Sequence, residues 1–246
     1  MRMRIFDCSY FGWYASIGGA IFLHIPAASA GLAEGYEAYV RGEYEIAFTE
    51  LLPAAQAGDY IAGYYLGLLY WDGNGVVKDV DAAVIWLSDA AARGHTGAQL
   101  SMALAYESGQ GVEQNYHRGA EFMTEAAQGG HPDAQYLLGT YYRDGRGVVQ
   151  DQHEAYAWTE RSVLGNRSNR LFLDALLMLG AAREWGRGPP QDLVESYKWY
   201  ALAAGYSEDE IRIYDSAGRA MDALSTRMTG ARIADAQQRA HNWRVQ

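Results

Sequence analysis

The chain has 246 residues, 49% hydrophobic and 13% aromatic, so it can bury a core and lacks the aromatic-poor composition of a disordered polymer. Twenty Lys and Arg against thirty Asp and Glu give a formal charge of −10, which argues against nucleic acid and against a peripheral membrane surface, since both start from a basic face. A single cysteine, Cys8, excludes an intrachain disulfide and a cysteine-based zinc site.

Residues 1–30 differ from the rest. Arg2 and Arg4 precede a run from Cys8 to Ala33 without Asp, Glu, Lys or Arg, and its apolar part ends at Ala28-Ser29-Ala30. A positive start, an apolar middle and a small-x-small end describe a signal peptide. Asp7, His24 and Pro26 interrupt that pattern, so two other readings stand beside it. One is an uncleaved anchor, because the uncharged run is long enough to span a bilayer. The other is the buried N-terminus of a cytoplasmic protein. The expectation is a periplasmic or secreted chain beginning at Gly31, with an inner-membrane anchor facing the periplasm as the alternative.

Residues 31–58 read as an N-terminal capping hairpin, Leu32–Val40 followed by the helix within Arg41–Gly58. From residue 59 the sequence repeats. Gly73-Asn74-Gly75, Gly109-Gln110-Gly111, Gly145-Arg146-Gly147 and Gly186-Arg187-Gly188 recur at steps of 36, 36 and 41 residues. Thirteen residues after each first glycine stands a large aromatic: Trp86, Phe122, Trp158 and Trp199. Ala62, Ala98, Ala134 and Ala175 keep the same register, as do Asp79, Asn115, Asp151 and Asp192. A period of this length without strand-like alternation indicates stacked helical hairpins. The units are 59–94, 95–130, 131–171 with a five-residue insertion near 165–170, and 172–206, followed by C-terminal capping helices over 207–246.

Within a unit, the first helix pairs Leu66 with Tyr70, Met102 with Tyr106, and Leu138 with Tyr142, four residues apart on one face. The glycines stop it, and the Asp/Asn positions sit where the second helix needs an N-cap. Glu154 and Glu195, three residues beyond Asp151 and Asp192, predict capping boxes. The second helix pairs a small residue with the aromatic, as in Ala155/Trp158, which is core patterning. Thr229 is placed to cap a last helix running to Trp243.

These units resemble Sel1-like repeats, short relatives of tetratricopeptide repeats and here of the bacterial secreted type. The match is carried by YYLGLLYWDGNGVVKDVDAAVIWLSDAAARG and AQYLLGTYYRDGRGVVQDQHEAYAWTERSVLG, and the ending TRMTGARIADAQQRAHNW resembles the capping helix of bacterial members. Gly119 and Ser196 stand where the family has Ala, Phe122 where it has Trp, and Arg183 replaces the first-helix Tyr. The fold class expected is all-α, a right-handed α/α superhelical solenoid of Sel1-like hairpins. The resemblance implies a scaffold without chemistry of its own, one that assembles complexes, serves envelope functions or binds a partner peptide.

The residues themselves give no catalytic constellation. The glycine pairs lack the spacing of a phosphate loop or a dinucleotide fingerprint. His95, His131, His117 and His153 are placed by the repeat, and no metal-ligand pattern accompanies them. No cofactor is expected. The candidate partner groove lies on the first helices. Tyr65, Ser101, Leu137 and Met178 form one row, and Leu68, Leu104, Thr140 and Ala181 another, with Tyr141 beside them. Trp71, Glu107, Arg143 and Glu184 form an edge row with Trp185 next to it. Packing against the neighbouring helix is the competing reading of these positions. The reading is a non-enzymatic interaction scaffold with an envelope protein or peptide as partner. The alternative is an envelope enzyme, or an accessory protein bound to peptidoglycan or another envelope glycan.

Overall fold

The hairpins are written by two kinds of residue, stops and caps. The computed structural model describes residues 27–165, 171–206 and 211–245. The expected signal segment up to residue 26 and residues 166–170 of the expected insertion lie outside the described residues. Over those described, every regular element is an α-helix. In order these are α1 (Ala27–Val40), α2 (Tyr44–Gln56), α3 (Tyr60–Asp72), α4 (Val80–Ala92), α5 (Thr96–Ser108) and α6 (Tyr116–Gln128). There follow α7 (Pro132–Asp144), α8 (Gln152–Gly165), α9 (Phe172–Trp185), α10 (Leu193–Tyr206), α11 (Ile211–Ser225) and α12 (Gly230–Arg244).

Gly73, Gly109, Gly145 and Gly186 end α3, α5, α7 and α9 in the left-handed conformation, each backbone N–H bonding the carbonyl four residues earlier. Glycine serves there because an L side chain is disfavoured at that backbone angle. The second glycine of each pair has a further reason to lack a side chain. A Cβ at Gly147 would overlap the Tyr116 carbonyl oxygen, and one at Gly188 the Gln152 carbonyl oxygen. The loop of one hairpin thus rests against the start of the second helix of the hairpin before it.

The four expected second-helix caps all form. Asp79 Oδ1 accepts from Ala82 N at 2.9 Å, Asn115 Oδ1 from Arg118 N at 3.0 Å, Asp151 Oδ1 from Glu154 N at 3.1 Å and Asp192 Oδ1 from Glu195 N at 3.1 Å. The reciprocal half of the capping box forms at neither Glu154 nor Glu195, because the N-cap N–H groups of Asp151 and Asp192 donate to Tyr142 O and Arg183 O, each at 2.9 Å. The Glu195 carboxylate faces Lys198 and Arg239. The first helices have caps as well. Asp59 caps α3, and the Nδ1 atoms of His95 and His131 accept from Ala98 N at 3.1 Å and Ala134 N at 3.4 Å.

The described chain forms two compact units, one through Trp86 and one from Leu87, so the boundary falls inside α4. In the first, Ala38, Ala47, Leu51, Ala62, Leu66 and Leu69 are buried between α1, α2 and α3. In the second, Ala103, Met123, Leu138, Tyr141 and Trp158 form one cluster, and Leu176, Leu179, Trp199, Leu202 and Ile213 another. Small residues allow this packing. A Cβ at Gly139 would sit 2.9 Å from the Ala155 carbonyl oxygen, and Ser196 in the usual Ala position donates its hydroxyl to Gly180 O at 2.8 Å. α10 is enclosed by α9, α11 and α12, and Trp243 of α12 closes on Trp199 and Phe172 with ring centroids 6.0 and 6.2 Å away.

Candidate functional site

On the first unit, Tyr65 is half-buried among other tyrosines of α1 and α3. Its ring lies 5.3 Å from Tyr36, 5.0 Å from Tyr39 and 5.0 Å from Tyr64. Leu68 and Trp71 on the same helix are also half-buried. Tyr36 remains 45% exposed and Val40 is exposed beside it, so α1 extends the aromatic surface beyond the rows read from the repeats. Burial pushes the Tyr64 hydroxyl up to about 12, and those of Tyr39 and Tyr65 up from their ordinary value.

On the second unit, the expected row separates into distinct roles. Leu104 is 41% exposed and Trp185 is 61% exposed. Ser101 is half-buried, and its hydroxyl donates back to Gly97 O at 2.9 Å. Leu137 packs against the cluster that contains Leu138 and Met123, and Thr140 beside it is buried.

Tyr141 is not a groove residue. It is 1% exposed, and its hydroxyl donates to Glu107 Oε2 at 2.8 Å. Arg146 Nη1 takes the other oxygen of Glu107, and its guanidinium lies 5.5 Å from the Tyr141 ring centre. Desolvation, followed by the Glu107 carboxylate, raises the Tyr141 hydroxyl from its ordinary value. Ring, carboxylate and guanidinium form a clamp across the junction of the second and third repeats.

Glu184 is likewise no edge residue. It is 8% exposed, accepting from Tyr200 OH at 3.2 Å and Arg227 Nη1 at 3.0 Å. The edge row read from the sequence is therefore committed, at two of its four positions, to closing the interior. Sequence reasoning missed these clamps because the contacting residues are 16 to 43 positions apart with no local signature.

Where the third repeat meets the fourth there is instead a cleft of about 300 Å³. Arg143 and Tyr136 of α7, Tyr156 of α8, and Asp174, Met178 and Ala182 of α9 line it together with Arg187. Met178 is the one residue of the expected rows' Tyr65 class that lies here, with its sulfur 3.8 Å from Arg143 Nη1 and 3.6 Å from Thr159 Oγ1. Asp144 grips Arg143 at 2.7 and 2.9 Å, and that pairing holds the Asp144 carboxyl below its usual range. Arg183, in place of the first-helix Tyr, donates to Tyr156 OH at 3.2 Å and stacks 5.0 Å from its ring centre. Burial takes the Tyr156 hydroxyl up to about 12, against the pull of that arginine.

Among the described residues no group of three or more His, Cys, Asp or Glu could hold a metal ion, and no helix is long and apolar enough to cross a membrane. Nothing in the cleft pairs a nucleophile with a base. Its lining combines two arginines, one carboxylate and apolar side chains.

Comparison with known proteins agrees with this architecture. No curated protein matches the sequence. Among solved structures, a Sel1 repeat protein from Oxalobacter formigenes is 27% identical, covering 71% of this chain and 70% of that one with a TM-score of 0.64. A protective antigen of uropathogenic Escherichia coli strains with an SLR fold is 19% identical, with a TM-score of 0.54. This chain is 87% covered in that match but spans about half of the antigen, 54%, so the likeness concerns the fold alone. The Sel1 repeat model matches residues 62–95, 96–131, 132–165 and 173–204, more than half of the sequence. The all-helical chain, with its four repeats of stop, cap and small–large pairing, belongs to the Sel1 repeat family.

Proposed function

We propose that the chain is a non-catalytic protein-interaction scaffold of the bacterial cell envelope. Sel1 repeat proteins generally mediate protein–protein interaction, and the family is generally non-catalytic. The observation that favours this reading is large apolar side chains left in water on first helices: Tyr36 on α1, Leu104 on α5 and Trp185 on α9. Aromatic side chains of this kind supply much of the contact area at protein interfaces. The leader-like sequence up to Ala30, with Arg2 and Arg4 ahead of a run that is uncharged from Cys8, supports export.

The test is capture from native cells with the full-length chain as bait, and sequencing of its mature N-terminus in the same preparation. A discrete envelope polypeptide recovered with wild type, and lost with Leu104→Asp or Trp185→Ala, is the expected result. A start at Gly31 is expected independently. Recovery of envelope glycan with no polypeptide would replace the scaffold by a carbohydrate-binding accessory, and a start at Met1 with cytoplasmic partners would overturn the location.

A further inference from the structure

The repeat register places opposite chemistry at two successive junctions. Glu107, Tyr141 and Arg146 close the junction of the second and third repeats. One repeat later the corresponding residues, 36, 41 and 41 positions on, are Arg143, Ala182 and Arg187. Tyr to Ala removes a ring, and Glu to Arg moves the anion away from Arg187, since Asp144, where the repeat before has Ser108, pairs with Arg143. The cleft of about 300 Å³ lies at this junction, and all three residues line it. Arg143 is held by Asp144 at 2.7 and 2.9 Å, but among the described residues the Arg187 guanidinium has no carboxylate partner, whereas Arg146 has Glu107. The carboxylate that does line the cleft, Asp174, is taken by Arg212 at 3.2 Å.

We propose that this cleft binds an acidic segment of a partner polypeptide: a Glu or Asp carboxylate pairs with Arg187 beside the Arg143–Asp144 pair, as Glu107 pairs with Arg146 one repeat earlier, and an adjoining aromatic ring takes the space over Ala182 that corresponds to Tyr141. The inference rests on the scaffold reading and supplies its partner's chemistry. Arginine suits the task because its planar fork pairs with a carboxylate through two parallel N–H bonds. Arg183 donates to the Tyr156 hydroxyl and Arg212 offsets Asp174, so Arg187 carries the unbalanced charge of the lining. The chain as a whole carries −10, which opposes an acidic segment at long range, so the attraction is confined to the contacts of this cleft. The volume is at the small end for ligand cavities and fits one or two side chains better than a sugar chain.

The experiment uses an array of blocked peptides, each with one Glu placed near one Phe or Tyr at varied spacing, and each with a Gln twin, probed with the full-length chain. Glu peptides are expected to bind, with their Gln twins about tenfold weaker, as for loss of one charge-assisted contact. Arg187→Gln should cost a similar factor. A second variant, R143E/A182Y, installs the clamp of the previous junction in this one, and it should raise the melting temperature while abolishing peptide binding. Equal binding of Glu and Gln twins, peptide binding retained by R143E/A182Y, or a lower melting temperature for that variant each overturns the proposal. A native partner still held by R143E/A182Y removes the cleft as its site and leaves the scaffold reading standing. Absence of any polypeptide partner alongside array peptides that bind as expected removes the scaffold reading and supports the chemistry of the cleft.

Discussion

At the junction of the second and third repeats, a tyrosine ring, a carboxylate and a guanidinium fill the space between successive hairpins. At the next junction the same positions hold two arginines and an alanine, and the space is open. The backbone frame is alike in both, since Gly147 and Gly188 each lie against the start of the preceding hairpin's second helix. Residues required by the backbone thus repeat faithfully, while a few side-chain positions decide whether a junction is sealed or left as a surface. A repeat protein of this kind makes a binding place by omitting a clamp.

The comparison can be broken most sharply at Tyr141. Tyr141→Ala should destabilise the chain by about 4 kcal/mol in denaturant titration, because it empties a filled junction and strands the Glu107 carboxylate. Ala182→Leu, at the equivalent position, should change stability by less than about 1 kcal/mol, because the cleft has room for it.

Next in size, Gly147→Ala and Gly188→Ala should each cost about 3 kcal/mol, from left-handed strain plus collision with a carbonyl. Similar costs at both junctions would sharpen the view that the frame is shared. A large cost at only one would break it. Tyr141→Phe keeps the ring and removes one hydrogen bond to a carboxylate, so about 1.5 kcal/mol is expected by the same titration.

The smallest effect concerns pH. His95 and His131 cap α5 and α7 through Nδ1 acceptors, and burial, aided for His95 by His131, lowers their pKa from the ordinary 6.5. The fold therefore favours neutral imidazole. This stabilisation is fully present above pH 6.5 and is lost as pH falls through the lowered folded values. Leu171, which precedes α9, offers no side-chain cap. Melting temperatures measured from pH 7 down to 5 should fall, and His95→Asp/His131→Asp should flatten that fall, since an Asp cap ionises at lower pH. An unchanged slope in the double variant would remove the histidines from the account.

Much of the fold could be read from residues alone, because its instructions are local. Asp79, Asn115, Asp151 and Asp192 cap the helices that their spacing predicts, and the first glycines stop the helices they follow. The second glycines had a cause the sequence does not display, a close approach between hairpins. The surface was harder. Tyr141 sits next to row positions on its helix, yet its ring points into the interior, and only its distance to Glu107 reveals this. Tyr36, Tyr39 and Val40 carry a usable signal, spacing by three and four along α1, but they precede the repeat register. The cleft needed both levels. The register says that Arg143, Ala182 and Arg187 correspond to a clamp, and the structure says that the clamp is missing.

The most direct measurement is a crystal structure of the R143E/A182Y variant alongside wild type. The account predicts that the introduced carboxylate is held by Arg187 and the introduced ring, with that ring filling the cleft as Tyr141 fills the junction before it. Introduced side chains lying in solvent over an unchanged cleft would contradict the equivalence of the two junctions, and with it the claim that this one is left open for a ligand's carboxylate.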